Sequence, residues 1–191
     1  MATHSNPYLT GRLLVAMPGI DDGRFERSVI FMCAHDADHA MGLTVNRPVE
    51  GLTLPRLLKR LGVDYTAETE KTLVLMGGPV EPERGFVLHT DDYQGEPASI
   101  GIEGGVALTA TREVLEALAT RQPHPRRWLM ALGYAGWDGG QLEREIRDSV
   151  WLTCEADEGL LFDDDHEHKW SRALAKIGVA AEHLSAQAGR A

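Results

Sequence analysis

The sequence predicts an α+β domain, and three observations carry that prediction. Apolar residues alternate with small or polar ones at period two in residues 40–46, the pattern of a half-buried strand. The strand patterns of the first half follow one another in hairpin order, without the strict strand–helix alternation of a doubly wound parallel sheet. Two of them run into glycine-proline turns. One is MGLTVNRP at residues 41–48; the other is LVLMGGPV at 73–80, continuing to RGFVLH at 84–89.

Taken in order, residues 12–17 form an apolar run stopped by Pro18-Gly19, a strand and a turn. Asp21-Asp22-Gly23 makes another turn, and the β-rich run at 28–34 predicts the next strand. A polar segment, 35–39, joins it to the strand at 40–46 as an antiparallel hairpin. Pro48 biases Arg47 toward extended backbone and lacks an N–H for a ladder, so that strand ends near Arg47 with a cation at its tip.

A short helix follows. Thr53 is its N-cap, Pro55 lies in its first turn, Leu54, Leu57, Leu58 and Leu61 share one face, and Gly62 is at C′. Residues 72–76 and 85–90 read as strands flanking the Gly77-Gly78-Pro79 turn, 91–105 as a loop, and 106–108 as a short strand. A helix over 111–119 carries Val114, Leu115 and Leu118 on one face; a proline-broken loop spans 121–127, and 128–132 is a strand. The glycine-rich loop 133–140 leads into a helix at 141–147, with Asp138 and Gln141 spaced as a capping box and Glu143 paired with Arg147. Residues 150–154 are a strand and 160–162 another candidate. The last helix starts near Asp165, buries Trp170, Ala173, Leu174 and Ile177, and stops at Gly178.

The length of 191 residues implies one domain over 1–191, with about 1–8 and 186–191 frayed. A net charge of −10 opposes direct nucleic-acid binding, which depends on neutralising phosphates, and no helix-turn-helix pattern is present. Cys33 and Cys154 form no C-x-x-C motif and sit in apolar runs, as buried reduced thiols of a cytoplasmic protein do. The N-terminus has no signal-peptide pattern, and no apolar run reaches membrane-span length, so no membrane association is expected.

Each candidate for chemistry has a plainer explanation beside it. His35-Asp36-Ala37-Asp38-His39 and Asp163-Asp164-Asp165-His166-Glu167-His168 hold metal-ligand types, but a polar turn and an acidic helix start explain them; no metal and no cofactor is assigned. Gly133-x-x-Gly136-x-x-Gly139 resembles a phosphate loop in outline, yet it lacks the dinucleotide spacing and Asp138 repels an anion. Arg121, His124, Arg126 and Arg127 form a small basic patch that a solvated loop explains. Successive N–H groups at Gly77-Gly78 suit an anion-binding concavity, and an ordinary turn suits the same residues. His89, beside Asp91 and Asp92, is the one acid/base candidate, or a solvated loop histidine.

Several segments together resemble the YqgE/AlgH family over almost the whole chain: LLVAMPGIDDGRF at 13–25, residues 41–48, GGPVEPERGFVLH at 77–89, GYAGWDGGQLEREI at 133–146 and LLFDDDHEHKWSRAL at 160–174. The resemblance implies a single α+β domain whose mostly antiparallel, bent sheet closes toward a barrel, with short helices packed on it. It also implies a cytosolic bacterial protein with no assigned reaction, some relatives being called transcriptional regulators. The family usually has asparagine two positions before Trp151, where this chain has Ser149. The leading expectation is a binding module for an anionic small molecule or a protein partner. Asn46, Arg47, Gly77, Gly78, Arg84, Tyr134 and Trp137 would converge on one concave face. A regulator acting through a partner or DNA, and an enzyme using His89, are the alternatives.

Overall fold

The computed structural model describes residues 6–66, 71–93, 98–120 and 122–180. In chain order the strands are β1 (Arg12–Ala16), β2 (Val29–His35), β3 (His39–Thr44), β4 (Pro48–Thr53), β5 (Leu73–Met76), β6 (Val80–Thr90), β7 (Ser99–Ile102), β8 (Val106–Thr109), β9 (Trp128–Asp138) and β10 (Trp151–Glu155). The helices are α1 (Leu54–Arg60), α2 (Arg112–Ala119), α3 (Gln141–Arg147), α4 (Glu158–Phe162) and α5 (Lys169–Lys176). Eight strands follow one path, β10-β1-β2-β3-β9-β6-β8-β7, curled into a half-barrel, and β4 and β5 branch from β9. The expected α+β domain with a bent, mostly antiparallel sheet is thus the observed one; the pair β5–β9 is parallel.

The strands lack clean alternation because both faces are covered. In β1, Leu13 and Val15 enter one cluster with Phe31, Leu43, Leu88 and the α5 residues Trp170, Ala173 and Leu174. Leu14 and Ala16 point the other way, to Ile30, Met32, Trp137, Trp151 and Leu142 of α3. A third cluster seats α1 and α2 on Val74, Val87 and Met130.

β9 belongs to both halves of the sheet. Its first part pairs with β6 on one side and β5 on the other: Ala131 has Phe86 and Leu75 as partners at once. Its last four residues pair with β3. Residues 72–76 and 85–90, expected to flank a simple turn, are therefore separated by a third strand. The Gly77-Gly78-Pro79 connection must cross β9, and it does so at Gly133, whose φ is +72°. A Cβ on Gly78 would lie 2.1 Å from the Tyr134 carbonyl carbon; one on Gly77 would lie 2.3 Å from the Gly133 oxygen. Glycine is required here for backbone-on-backbone contact, since neither Gly77 nor Gly78 has positive φ.

Other expectations are corrected. Residues 133–138 are strand, not loop, because Tyr134, Ala135 and Trp137 continue the side-chain alternation past Gly133. Pro48 opens a strand instead of ending one, on a branch where its missing N–H is tolerated. The segment read as loop 91–105 contains β7. Residues 160–162 are helical, because Asp157 Oδ1 accepts the Leu160 N–H and caps α4. The last helix begins at Lys169, four residues after Asp165, and Leu61 is exposed at the end of α1. Gln141 accepts the Asp138 N–H, but the N-cap of α3 is Gly140 and no side chain caps the helix, so the expected capping box is only half formed; Glu143 reaches His35 at 2.8 Å. The frayed-end expectations at 1–5 and 186–191 lie outside the described residues.

Helix α3 ends in a Schellman motif, with Ser149 N–H donating to Ile146 O and Val150 N–H to Glu145 O. Ser149 holds the left-handed position of that motif, φ +59°. The asparagine implied there by the resemblance suits that conformation, so the position answers to backbone shape. Ser149→Gly is expected to raise unfolding free energy by about 1 kcal/mol, with a smaller gain for Ser149→Asn, measured by urea denaturation.

Candidate functional site

Where α4 and α5 do not cover it, the inner face of the half-barrel is open as a cleft of about 570 Å³. Strand alternation builds its floor. Met41 of β3, Phe86 of β6, Leu108 of β8 and Tyr134 of β9 present apolar surface from four adjacent strands, and Ile100 of β7, 64% exposed, forms part of the lining. The Tyr134 ring meets Phe86 edge-on at 6.0 Å. Arg84 lines the same cleft, its guanidinium 5.1 Å from the Phe86 ring centroid and 3.4 Å from Glu81. Both members of that ion pair are more than half exposed, so the pair contributes little. His39 and Asp138, cross-strand partners, also line the cleft.

A second cleft, about 410 Å³, shares Val80, Gly136 and Trp137 with the first as a common wall. Trp137 sends its indole to this side, and its N–H donates to Glu145 Oε2 at 2.7 Å; the Trp151 indole donates to the same oxygen at 3.0 Å. Gln141 donates to Glu145 Oε1 at 3.2 Å. Phe25 packs edge-on against Trp151.

Of the seven residues expected to share one face, Arg84, Tyr134 and Trp137 line the first cleft, with the Trp137 indole on the far side of the wall. The other four hold the fold. Asn46 accepts the Val29 N–H and donates to Arg27 O. The Arg47 guanidinium donates to the carbonyls of Arg24 and Glu26. Gly77 continues the β5 ladder through its N–H to Leu132 O, and Gly78 presses on the β9 backbone. Gly78 and Arg47 also line a small hollow of about 100 Å³.

His89 is fully buried, not in a solvated loop. A carbonyl only accepts, so Nδ1–H donates to Thr90 O at 2.7 Å, and Nε2 accepts from the Thr109 hydroxyl at 2.7 Å. Both ring nitrogens are committed inside the protein.

His35 is likewise turned inward: Nδ1 accepts the Leu9 N–H, and Nε2–H donates to Glu143. The Glu143 backbone N–H, with help from His35, holds that carboxyl below the usual range. In the acidic segment, His168 pairs with Asp165 at 2.8 Å, and Asp163 takes Arg172. Arg126 of the basic patch pairs with Glu158 at 2.7 Å, while Arg121 lies outside the described residues. Both cysteines are free and buried, and burial pushes the Cys33 thiol up to about 12.

Met41, Phe86, Ile100 and Leu108 were not among the sequence candidates, nor was Glu145. The cleft residues carry an ordinary strand pattern, and only the curl of the sheet gathers them. Trp137, Glu145 and Trp151 follow no local repeat that ties them together.

The AlgH-like family model matches residues 13–182. A UPF0301 protein of Caulobacter vibrioides is 65% identical over 184 residues, covering 96% of this chain and 94% of its own. One from Bradyrhizobium diazoefficiens is 49% identical, covering 96% and 89%. The solution structure of the AlgH protein from Pseudomonas aeruginosa superposes with a TM-score of 0.79 at 39% identity over the full length of both chains. A Corynebacterium diphtheriae crystal structure shares the fold at TM-score 0.71 and 18% identity, covering 89% of this chain and 87% of its own.

Proposed function

This chain belongs to the AlgH-like family, and on that premise we propose that it is a binding module whose inner-face cleft takes a ligand with an apolar body and an anionic group. The observation that carries the reading is the composition of that cleft. Met41, Phe86, Leu108 and Tyr134 offer an apolar floor, and Arg84 lies among them with only a weak surface pair to give up. Cavities of this size that are mostly apolar with a few placed polar groups suit small-molecule ligands or an inserted peptide segment. Arg84 is suited to a carboxylate or phosphate through two parallel N–H donors, and stacking on Phe86 limits its motion.

No helix among the described residues is long and apolar enough to cross a membrane. Buried free thiols fit a reducing, cytoplasmic setting. A regulatory role would run through occupancy of the cleft.

The test is calorimetric titration with medium-chain carboxylates, alkyl phosphates and short peptides with free C-termini. Arg84→Ala is expected to weaken a bound ligand about tenfold or more, the value of one charge-assisted contact. Phe86→Ala tests the apolar floor in the same assay. Binding of no member of the panel, or equal binding by Arg84→Ala, would overturn the reading.

A further inference from the structure

We propose that the second cleft is a site for an organic cation, an alkylammonium or alkylguanidinium group, with Glu145 as its counter-charge. It lies across the wall of Val80, Gly136 and Trp137 from the first, and its ligand has the opposite sign.

Two features point to a cation and a third to its apolar shank. The first is the state of Glu145. Every hydrogen bond to its carboxylate comes from a donor: the indole N–H groups of Trp137 and Trp151 on Oε2, and the Gln141 amide on Oε1. The group is fixed as an acceptor and its orientation is set before any ligand arrives. Neutral donors position it without cancelling its charge, and no cation among the described residues pairs with it.

The second feature is the balance of charge around the cavity. Asp21, Asp22 and Glu145 line it against one cation, Arg24. Arg24 is already closed on Asp22, with Nε 3.0 Å from Oδ1 and Nη2 2.7 Å from Oδ2. Asp21 and Glu145 are left without a cationic partner among the described residues.

The third is the aromatic lining. Phe25, Trp137 and Trp151 stand edge to face, at 5.7 and 6.1 Å between centroids. The Phe25 ring already carries the Arg24 guanidinium at 5.8 Å, and the two indoles are buried, so this wall chiefly offers apolar surface to the methylene shank of such a ligand. A cavity of about 410 Å³ accommodates a side-chain-sized cation.

The probes are butylammonium and butylguanidinium, with 1-butanol as the neutral isostere, titrated by calorimetry and by tryptophan fluorescence. Wild-type protein is expected to bind the two cations saturably at millimolar concentration or below, and 1-butanol about tenfold more weakly or not at all. Glu145→Gln keeps a carbonyl oxygen for the two indole donors and removes the charge. It is expected to lose about tenfold or more in cation affinity while retaining wild-type circular dichroism. Arg84→Ala is expected to leave cation binding unchanged, which separates this site from the first cleft. Absence of saturable cation binding, equal binding of 1-butanol, or undiminished binding by a folded Glu145→Gln would each overturn the assignment. Should Glu145→Gln fail to fold, the comparison of cation with isostere on wild-type protein decides it.

Discussion

Gly78→Ala is expected to unfold the protein. The new methyl would sit 2.1–2.3 Å from the Tyr134 carbonyl group and the Ala135 nitrogen. These are backbone atoms in the central strand, so no side-chain rotation relieves the clash. Relief requires β9 to part from β5 or β6, and β9 is paired with both. The expected loss exceeds about 4 kcal/mol, at the extreme of single substitutions and comparable with the whole stability of a marginal domain. Gly23→Ala is the control: a Cβ there meets nothing within 4 Å, its φ is not positive, and the change is expected to fall within about 0.5 kcal/mol. Urea denaturation followed by circular dichroism reads both. A folded Gly78→Ala of near wild-type stability would mean that the crossing over β9 is not as described.

Lys169→Met is expected to be the second most damaging change, at about 3 kcal/mol or more. Lys169 is fully buried, and its Nζ donates to three carbonyls, Val45 O at 3.1 Å, Leu161 O at 3.2 Å and Asp163 O at 3.1 Å. It ties the end of α4 and the residues that follow to the turn after β3. Methionine fills the space but leaves those carbonyls without their donor. The same residue makes stability depend on pH. Burial lowers the Lys169 pKa to about 8, against an ordinary value of 10.5. Below pH 8 both folded and unfolded chains hold the proton, and the fold bears the full cost of burying it. Between about 8 and 10.5 the unfolded chain holds more protons, so this group adds stability as pH rises. The gap between wild type and Lys169→Met is therefore expected to widen from pH 8 to pH 10. A pH-independent gap would show that burial does not lower the Lys169 pKa and that the amine stays charged in the fold across this range.

The strands carried by strong apolar runs were legible: β1, β2, β3, β5 and β8 lie where period and turn residues place them. So were the ends of α1 and α5, because Gly62 and Gly178 mark Schellman turns that need only local sequence. What could not be read was which strand lies beside which. Gly77-Gly78 looks like a turn in any one-dimensional reading; its actual demand comes from Gly133, over fifty residues on. The same limit applied to the sites. Arg84 and Tyr134, which line the cleft, were singled out because they stand in glycine-marked segments. Phe86 and Leu108 were missed because apolar strand residues look alike until the curl leaves some of them uncovered.

The placement of β9 also bears on the order of assembly. β5 and β6 emerge during synthesis as neighbours in sequence that cannot pair with each other in the native register. Both must wait for a strand that the ribosome delivers tens of residues later. Until then each has an open edge, and the first three strands lack the neighbour that β9 gives to β3. Long-range closure of this kind slows folding and prolongs exposure of unpaired edges. The half-barrel therefore cannot close before β9 is available. The interval before it is when a holding chaperone would matter most.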